Sequence, residues 1–242
     1  MGESGSTAGG LLSIPVQDGL SVSARLEIPA AARACYVLAH GAGAGMDHPF
    51  MSAAARELAS LGVATLRYQF PYMEQRVRRP DPPPLCHQTV RAAVAQAARL
   101  APGLPLIAGG RSFGGRMTSQ AQALAALPGV RGLAFIGFPL HPSGRPSDER
   151  ARHLAQVEVP MLFIQGTRDA LAKRELIEAL VVRLGERARI RWVDEADHSF
   201  HVPVRSGRRE AQVLRELLQR LAEWIDALAD GAGSTTVPVS PA

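Results

Sequence analysis

A serine flanked by glycines is the strongest chemical signal in the sequence. The segment Gly110-Arg111-Ser112-Phe113-Gly114 lies between an apolar run that begins at Leu104 and a helical pattern over Met117–Leu127. Glycines two positions on either side of a serine permit a sharp, strained strand-to-helix turn that projects the hydroxyl above the edge of a sheet. The pattern therefore predicts a nucleophilic serine suited to acyl transfer.

A serine hydroxyl needs a base, usually a histidine whose tautomer is fixed by a carboxylate. Asp169 follows the apolar run Pro160–Gln165, and His198 follows the run Arg189–Val193. Each lies just beyond the predicted carboxyl end of its strand, as Ser112 does, and loops at that edge of a parallel sheet can converge. We expect Ser112 as nucleophile, His198 as base and Asp169 as the group that orients the base.

Neighbouring residues leave alternatives open. His201 lies three positions after His198, and Asp194 or Asp197 could replace Asp169. His198 is preferred because it comes soonest after its strand, and Asp169 because its strand is separate from that of the histidine.

Acyl transfer also needs two N–H donors for the developing oxyanion. The residue after the nucleophile, Phe113, is expected to supply one of them. The glycine-rich loop His40–Gly45 is expected to supply the other, with Ala42 preferred and Gly43 as the fallback. A metal site at His40, Asp47 and His48 is the weaker interpretation of this loop.

Glycine patterns do not predict a nucleotide site, and we expect no cofactor. Gly110 and Gly115 have the spacing of a phosphate-binding loop, but Arg116 and Met117 stand where lysine and serine or threonine are required. In the loop after His40, Met46 occupies the place of the third glycine of a dinucleotide fingerprint.

Strands and helices alternate along the chain. The predicted strands are Leu20–Ile28 (an antiparallel edge strand), Cys35–Ala39, Val63–Phe70, the run from Leu104, Val130–Phe138, Pro160–Gln165 and Arg189–Val193. The predicted helices are Met51–Leu61, Cys86–Leu100, Met117–Leu127, Lys173–Leu184 and Arg208–Leu228. This order predicts an α/β fold with a doubly wound, mostly parallel sheet and helices on both faces.

The chain is expected to form one domain. We predict a flexible segment over residues 1–10, a single domain over 11–229 and a disordered tail over 230–242. Only about twenty residues separate the strands Val130–Phe138 and Pro160–Gln165, which leaves room for a small helix near Asp148–Leu154 but not for a large lid.

Composition limits the classes of function. The 242 residues are 46% hydrophobic with a formal charge of +5, and no segment has the length of a membrane span. Two cysteines form neither a disulfide framework nor a metal-ligand pattern, which favours a reducing, cytoplasmic setting. No specific nucleic-acid motif is present. We expect a monomer or homodimer.

A basic, proline-rich segment offers a different function. Between Pro71 and Pro84 the prolines argue against a helix interior or central strand, so we expect a surface loop that carries Arg76, Arg78 and Arg79. This loop could bind an anionic substrate or, in an interaction module with weak or no catalysis, an acidic partner.

The combined motifs resemble those of the serine α/β-hydrolase superfamily, within the small lidless dienelactone-hydrolase-like group that includes the testis-expressed and NSL-complex-subunit hydrolase-like domain. The resemblance covers about Leu12 to Leu228 and rests on five segments: His40–Gly45, Arg67–Tyr72 with the Arg/Pro loop, Gly109–Gly115, Gly166–Asp169 and Asp197–Phe200. It implies the triad Ser112, His198 and Asp169. Dienelactone hydrolases themselves use cysteine, so their substrate is not carried over, and some members of the group serve in larger assemblies.

The expected activity is hydrolysis of small carboxylic esters or thioesters through an acyl-enzyme, with peptide cleavage as a weaker option. The substrate cleft is expected to be bordered by Gly43, Phe70, Tyr72, Arg111, Phe138 and Phe200.

Overall fold

An eight-stranded sheet organises the molecule. The computed structural model describes residues 10–232. The strands are β1 Leu11–Gln17, β2 Leu20–Glu27, β3 Ala34–Ala39, β4 Val63–Tyr68, β5 Leu106–Arg111, β6 Val130–Ile136, β7 Met161–Gly166 and β8 Ala188–Val193. Their order in the sheet is β1-β2-β4-β3-β5-β6-β7-β8. The pairs from β4 to β8 are parallel, whereas β2 runs antiparallel to both β1 and β4.

Helices cover both faces of the sheet. They are α1 Pro49–Ser60, α2 Pro71–Glu74, α3 Pro83–Leu100, α4 Phe113–Leu124, α5 Arg174–Leu184 and α6 Glu210–Ala232. Helices α1 and α6 pack on one face through residues such as Leu58 and Leu217. Helices α3, α4 and α5 pack on the other through residues such as Val90 and Ile177. The doubly wound α/β fold predicted from the sequence is confirmed.

The central strands are buried on both faces, since every residue of β3, β4 and β7 is buried. This explains their continuous apolar sequences, which have no period of two. The residues expected to perform chemistry follow strand ends instead: Ser112 follows β5, Asp169 follows β7 and His198 follows β8.

The connection between β6 and β7 contains one short 3-10 helix, Glu149–Gln156. It lies close to the predicted small helix, and its buried residues Ala151 and Leu154 pack into the core beneath it. Because this connection carries only that element, it forms no large lid over the edge of the sheet, as the sequence predicts.

Several predictions about individual elements were wrong. Strand β2 is not the edge strand, because β1 pairs outside it. Pro15 lies in β1 next to a register shift, a position where the missing N–H costs little. Pro71 begins a single helical turn, α2, where a loop was expected, because proline suits the first position of a helix. Helix α6 runs to Ala232, beyond the expected end at Leu228. The predicted flexible and disordered residues 1–9 and 233–242 lie outside the described part of the chain.

Candidate active site

Ser112 occupies a strained turn between β5 and α4. Its φ of 50° and ψ of −115° lie outside the ordinary regions for a residue with a side chain. The turn is possible because the neighbouring glycines pass very close to β3. A Cβ on Gly110 would lie 2.3 Å from the carbonyl oxygen of Ala39, and one on Gly114 would lie 2.5 Å from that of His40. The glycine pattern read from the sequence is therefore a steric requirement.

His198 joins Ser112 to Asp169 by two short hydrogen bonds. The Oγ of Ser112 lies 2.8 Å from Nε2 of His198, and Nδ1 of His198 lies 2.7 Å from Oδ2 of Asp169. Since a carboxylate only accepts, the histidine donates from Nδ1, and Nε2 is left to accept the serine proton. The structure thus brings together the three residues expected from the sequence.

The carboxylate of Asp169 is itself held in place. It is 6% exposed, and its Oδ1 accepts the Leu171 N–H at 2.7 Å. Its Oδ2 accepts a second hydrogen bond from Nε2 of Gln165. The Oε1 of Gln165 in turn accepts the N–H of Phe138 at 2.9 Å, which ties the carboxylate to the end of β6. Sequence reasoning missed Gln165, although a buried polar residue at the end of an apolar strand was the available signal.

The histidine loop approaches β7 as closely as the nucleophile turn approaches β3. A Cβ on Gly166 would lie 2.3 Å from the carbonyl oxygen of Ala196 and 2.7 Å from that of Asp197. The N–H of Arg168 donates to the Ala196 carbonyl at 2.9 Å. The loops after β7 and β8 are therefore packed against one another, which sets the separation of Asp169 and His198.

The alternative residues are engaged elsewhere. His201 pairs with Glu210, at the start of α6. Oδ1 of Asp197 accepts the N–H groups of Ser199 and His201, at 2.8 and 3.0 Å, and so folds the histidine loop. Asp194 is exposed.

The glycine-rich loop after β3 lies against the nucleophile turn, since a Cβ on Gly41 would lie 3.9 Å from Cβ of Ser112. The N–H of Gly43 donates to the Tyr72 hydroxyl at 2.9 Å, so the fallback donor is occupied. Across residues 10–232, the N–H of Ala42 donates to no acceptor. The N–H of Phe113 lies at the first turn of α4, where helix N–H groups have no partner within the helix. Ala42 and Phe113 are the two residues expected from the sequence to donate to the oxyanion.

His40 fixes this loop from within the core. It is fully buried, its Nδ1 lies 2.7 Å from the Gly41 carbonyl, and its Nε2 accepts the Phe70 N–H at 3.1 Å. Burial lowers its pKa to about 4. Since both ring nitrogens are engaged, His40 acts here as a neutral structural residue.

The two residues that could join His40 in a metal site have other partners. Asp47 pairs with Arg25, and His48 caps α1 by accepting the Phe50 N–H. Within the described chain, no three His, Cys, Asp or Glu side chains form a group that could hold a metal ion.

A second polar anchor explains the Arg67–Tyr72 motif. Nη1 of Arg67 donates to the Met46 carbonyl at 3.0 Å, and Oε1 of Gln69 accepts the Met46 N–H at 2.8 Å. Arg67 is nearly buried and paired with Glu27. These contacts join the end of β4 to the loop that carries Ala42.

Two of the aromatic residues expected to border the cleft do not do so. Phe70 and Phe138 are fully buried. Phe70 packs edge-on against Phe113, with ring centroids 5.4 Å apart, and Phe138 packs against Phe135 and Phe163. Each lies just past the end of its strand and turns into the core, where its large apolar area is better accommodated.

Of the other residues expected to border the cleft, one contacts the glycine-rich loop and two line a cavity. Tyr72 is buried, but its hydroxyl holds Gly43. Phe200 and Arg111 line a cavity of about 380 Å³ between the histidine loop, α1 and α6. A larger cavity of about 780 Å³, lined by Leu104 and Leu228 among others, lies below the amino end of β5, away from Ser112.

The arginines of the Arg/Pro loop, Arg76, Arg78 and Arg79, are all exposed. Asp81, in the same loop, accepts the Tyr72 N–H at 2.9 Å and anchors it. No helix among the described residues is both long and apolar enough to cross a membrane.

Comparison with known proteins places this geometry in a family. A model of the alpha/beta hydrolase domain family matches residues 32–226. A dienelactone hydrolase from Anabaena variabilis is 22% identical, with a TM-score of 0.73 over 90% of this chain and 97% of that one. A serine hydrolase without a lid from Xanthomonas campestris is 19% identical, with a TM-score of 0.67 over 97% and 98%.

Est1E from Butyrivibrio proteoclasticus is 16% identical, with a TM-score of 0.69 over 90% of this chain and 99% of that one. At these identities the structural likeness shows the fold. The family model, in contrast, covers most of the chain. The chain therefore belongs to the α/β-hydrolase domain family.

Proposed function

We propose that this protein is a serine hydrolase that cleaves carboxylic esters or thioesters through an acyl-enzyme. The observation that carries the proposal is the continuous hydrogen-bonded path from Ser112 through His198 to Asp169, with separations of 2.8 and 2.7 Å. The path begins at a serine whose backbone is held in a strained turn. Membership of a hydrolase family supports the same reaction type.

The proposed first half-reaction begins with attack of the Ser112 Oγ on the substrate carbonyl carbon. His198 Nε2 takes the serine proton, and the Asp169 carboxylate stabilises the resulting imidazolium. The N–H groups of Ala42 and Phe113 donate to the oxyanion. When the tetrahedral intermediate collapses, His198 gives its proton to the departing alcohol or thiol.

The second half-reaction repeats these roles with water. His198 removes a proton from a water molecule that attacks the acyl carbonyl, and then returns a proton to Ser112 Oγ as the acid leaves. No redox step or cofactor is needed for either half. The same residues therefore serve both halves, as expected for a double-displacement mechanism.

The two cysteines take no part in this proposal. Cys35 and Cys86 are buried free thiols, and burial raises the pKa of each to about 12. A thiol with such a pKa supplies very little thiolate at neutral pH. Their reduced state also fits the cytoplasmic location that we propose.

Labelling with a fluorophosphonate probe, followed by mass spectrometry of the adduct, tests the proposal. We expect the adduct on Ser112, strong loss of labelling in His198→Ala, and none in Ser112→Ala. Prior treatment with iodoacetamide should leave labelling unchanged, because neither thiol is reactive. A matched control is Ser60→Ala, which removes a hydroxyl at the end of α1, remote in the fold from the nucleophile turn.

Turnover of an ester by the Ser112→Ala protein would contradict the proposal. So would a correctly folded wild-type protein that neither reacts with the probe nor hydrolyses esters or thioesters. In that case, binding of acidic partners through the exposed Arg/Pro loop becomes the better account. A comparison of ester with amide turnover separates an esterase from a peptidase.

A further inference from the structure

Arg111 lies beside the nucleophile and lines the 380 Å³ cavity described above. It is the last residue of β5, directly before Ser112. Ser199, the neighbour of His198, lines the same cavity. The cavity is thus adjacent in the chain to both the proposed nucleophile and the proposed base. The rest of its wall is largely apolar and includes Phe50, Leu214 and Leu217.

The guanidinium of Arg111 has no anionic partner within the described residues. It forms no ion pair within 4.0 Å and no hydrogen bond there. Its Cζ lies 4.5 Å from the centroid of the Phe50 ring. The most buried arginine of the described residues, Arg67, is by contrast paired with Glu27. A half-buried guanidinium that contacts only an aromatic ring is compensated in part for its lost hydration, and a ligand anion would supply the missing partner.

The carboxylates near this cavity are held by other groups. Glu210 lines the cavity but pairs with His201. Burial lowers the pKa of Arg111, and the charge of Asp197 opposes this shift in part. The Oδ1 of Asp197, however, accepts two backbone N–H groups of its own loop. Neither carboxylate reaches Arg111. The remaining hydrogen-bonding capacity of the guanidinium is therefore available to a ligand.

We propose that Arg111 binds a carboxylate of the substrate, so that the preferred substrates are esters or thioesters carrying a carboxylate a few bonds from the scissile carbonyl. This inference rests on the proposed hydrolase function. A planar guanidinium binds a carboxylate through two parallel hydrogen bonds, a geometry that a lysine cannot reproduce. The apolar wall accommodates the short chain that joins the carboxylate to the scissile bond.

The carboxylate could belong to the acyl part or to the leaving group, and two substrate pairs distinguish these sources. Monomethyl adipate and its neutral isostere methyl isooctanoate test the acyl side. The pair para-acetoxybenzoate and para-isopropylphenyl acetate tests the leaving group. The measured quantity is the ratio of kcat/KM for the anionic ester to that for the neutral ester. Using a ratio removes general losses of activity or folding from the comparison.

In the wild type we expect one of these ratios to favour the anionic ester by about 10- to 100-fold, the range expected for a charge-assisted hydrogen-bond pair. Arg111→Met keeps bulk but removes charge, so the ratio should collapse towards the value set by the substrates alone. Arg111→Lys should restore only part of it. Arg99→Met removes an exposed arginine in the last turn of α3, away from the cavity, and should leave the ratio unchanged.

Binding of the product gives a readout that does not need turnover. Calorimetry with adipate or para-hydroxybenzoate on the Ser112→Ala protein should detect binding that disappears in the Ser112→Ala, Arg111→Met double variant. Equal cleavage of both members of each pair by a wild type that still reacts with fluorophosphonate overturns the inference alone. A wild-type preference that survives in Arg111→Met also overturns it. Failure of labelling and of all turnover instead rejects the proposed function, while the calorimetry still decides whether Arg111 binds a carboxylate.

Discussion

Replacement of Asp169 by asparagine tests the proposed acid with almost no change of shape. One oxygen of the carboxylate becomes an NH₂ group that must face N–H donors whichever way the amide turns. On one side it meets the Leu171 N–H, at the site of the present 2.7 Å hydrogen bond. On the other side it meets Nδ1 of His198 and Nε2 of Gln165. Both orientations harm the site, but to different extents.

If the NH₂ group faces Leu171, the histidine keeps its tautomer and loses only the charge of its partner. The difference between a charged and a neutral hydrogen bond then lowers kcat/KM by about 10²-fold. If the NH₂ group faces His198, the ring must accept at Nδ1 and carry its proton on Nε2, so it cannot take the proton of Ser112. The loss is then about 10⁴-fold, as for the wrong tautomer in other serine hydrolases.

The assay is kcat/KM for a chromogenic ester, with ¹⁵N chemical shifts of the His198 ring to identify the tautomer. The two rival carboxylates provide matched controls. Asp197→Asn keeps an acceptor at Oδ1 for its two loop N–H groups, and Asp194→Asn changes an exposed side chain. Both should retain activity within a few-fold. If Asp169→Asn kept more than a tenth of wild-type activity, or if either control lost as much, Asp169 would not be the orienting carboxylate.

Two further predictions concern the backbone and the core. Gly110→Ala should lower the free energy of unfolding by more than about 3 kcal/mol in urea denaturation, because the φ of Gly110 is 153° and an added Cβ would lie 2.3 Å from the Ala39 oxygen. Gly19 is the matched control, with a φ of 71° and no atom within 4 Å of an added Cβ, so Gly19→Ala should cost only about 1–2 kcal/mol. Equal losses in the two variants would show that the close approach at Gly110 is unimportant. The pKa of His40 falls from 6.5 to about 4, so its contribution to stability is complete above pH 6.5 and is lost as the pH falls towards 4, by about 3 kcal/mol. Urea denaturation across this range should show a shallower pH dependence in His40→Gln than in the wild type, and identical slopes would contradict a buried neutral histidine.

The fold was predictable because its signals are local. Continuous apolar runs such as Cys35–Ala39 are typical of strands buried on both faces, and the glycines on either side of Ser112 permit a tight turn. Strand β1 was not predicted, because a short edge strand that contains Pro15 has neither a long apolar run nor a regular pattern. The observed helix ends differ from the predicted ones by a few residues, because the position at which a helix ends depends on tertiary contacts as well as on sequence.

The contacts of the triad could be anticipated from topology, whereas the lining of the cleft could not. Three side chains that each follow a parallel strand must meet at one edge of the sheet, whatever the details of their loops. The direction of Phe138, by contrast, depends on packing against Phe163, which lies on a different strand. The choice between Ala42 and Gly43 depends on Tyr72, about thirty residues away. Contacts of this kind leave no pattern near either residue.

The same distant contacts explain why the site needs glycine at positions that hold no chemistry. The residues on either side of Ser112 lie against β3 and its end at Gly110 and Gly114, and the histidine loop lies against β7 at Gly166. At each of these three glycines a carbonyl oxygen lies within 2.5 Å of where a Cβ would be. A side chain at any of these glycines would force the two contacting segments apart. Such a shift would lengthen the 2.8 Å hydrogen bond between Ser112 and His198, and hydrogen bonds of this type weaken beyond about 3.2 Å. The absence of a Cβ at these three glycines is therefore as necessary to the proposed reaction as the three side chains that perform it.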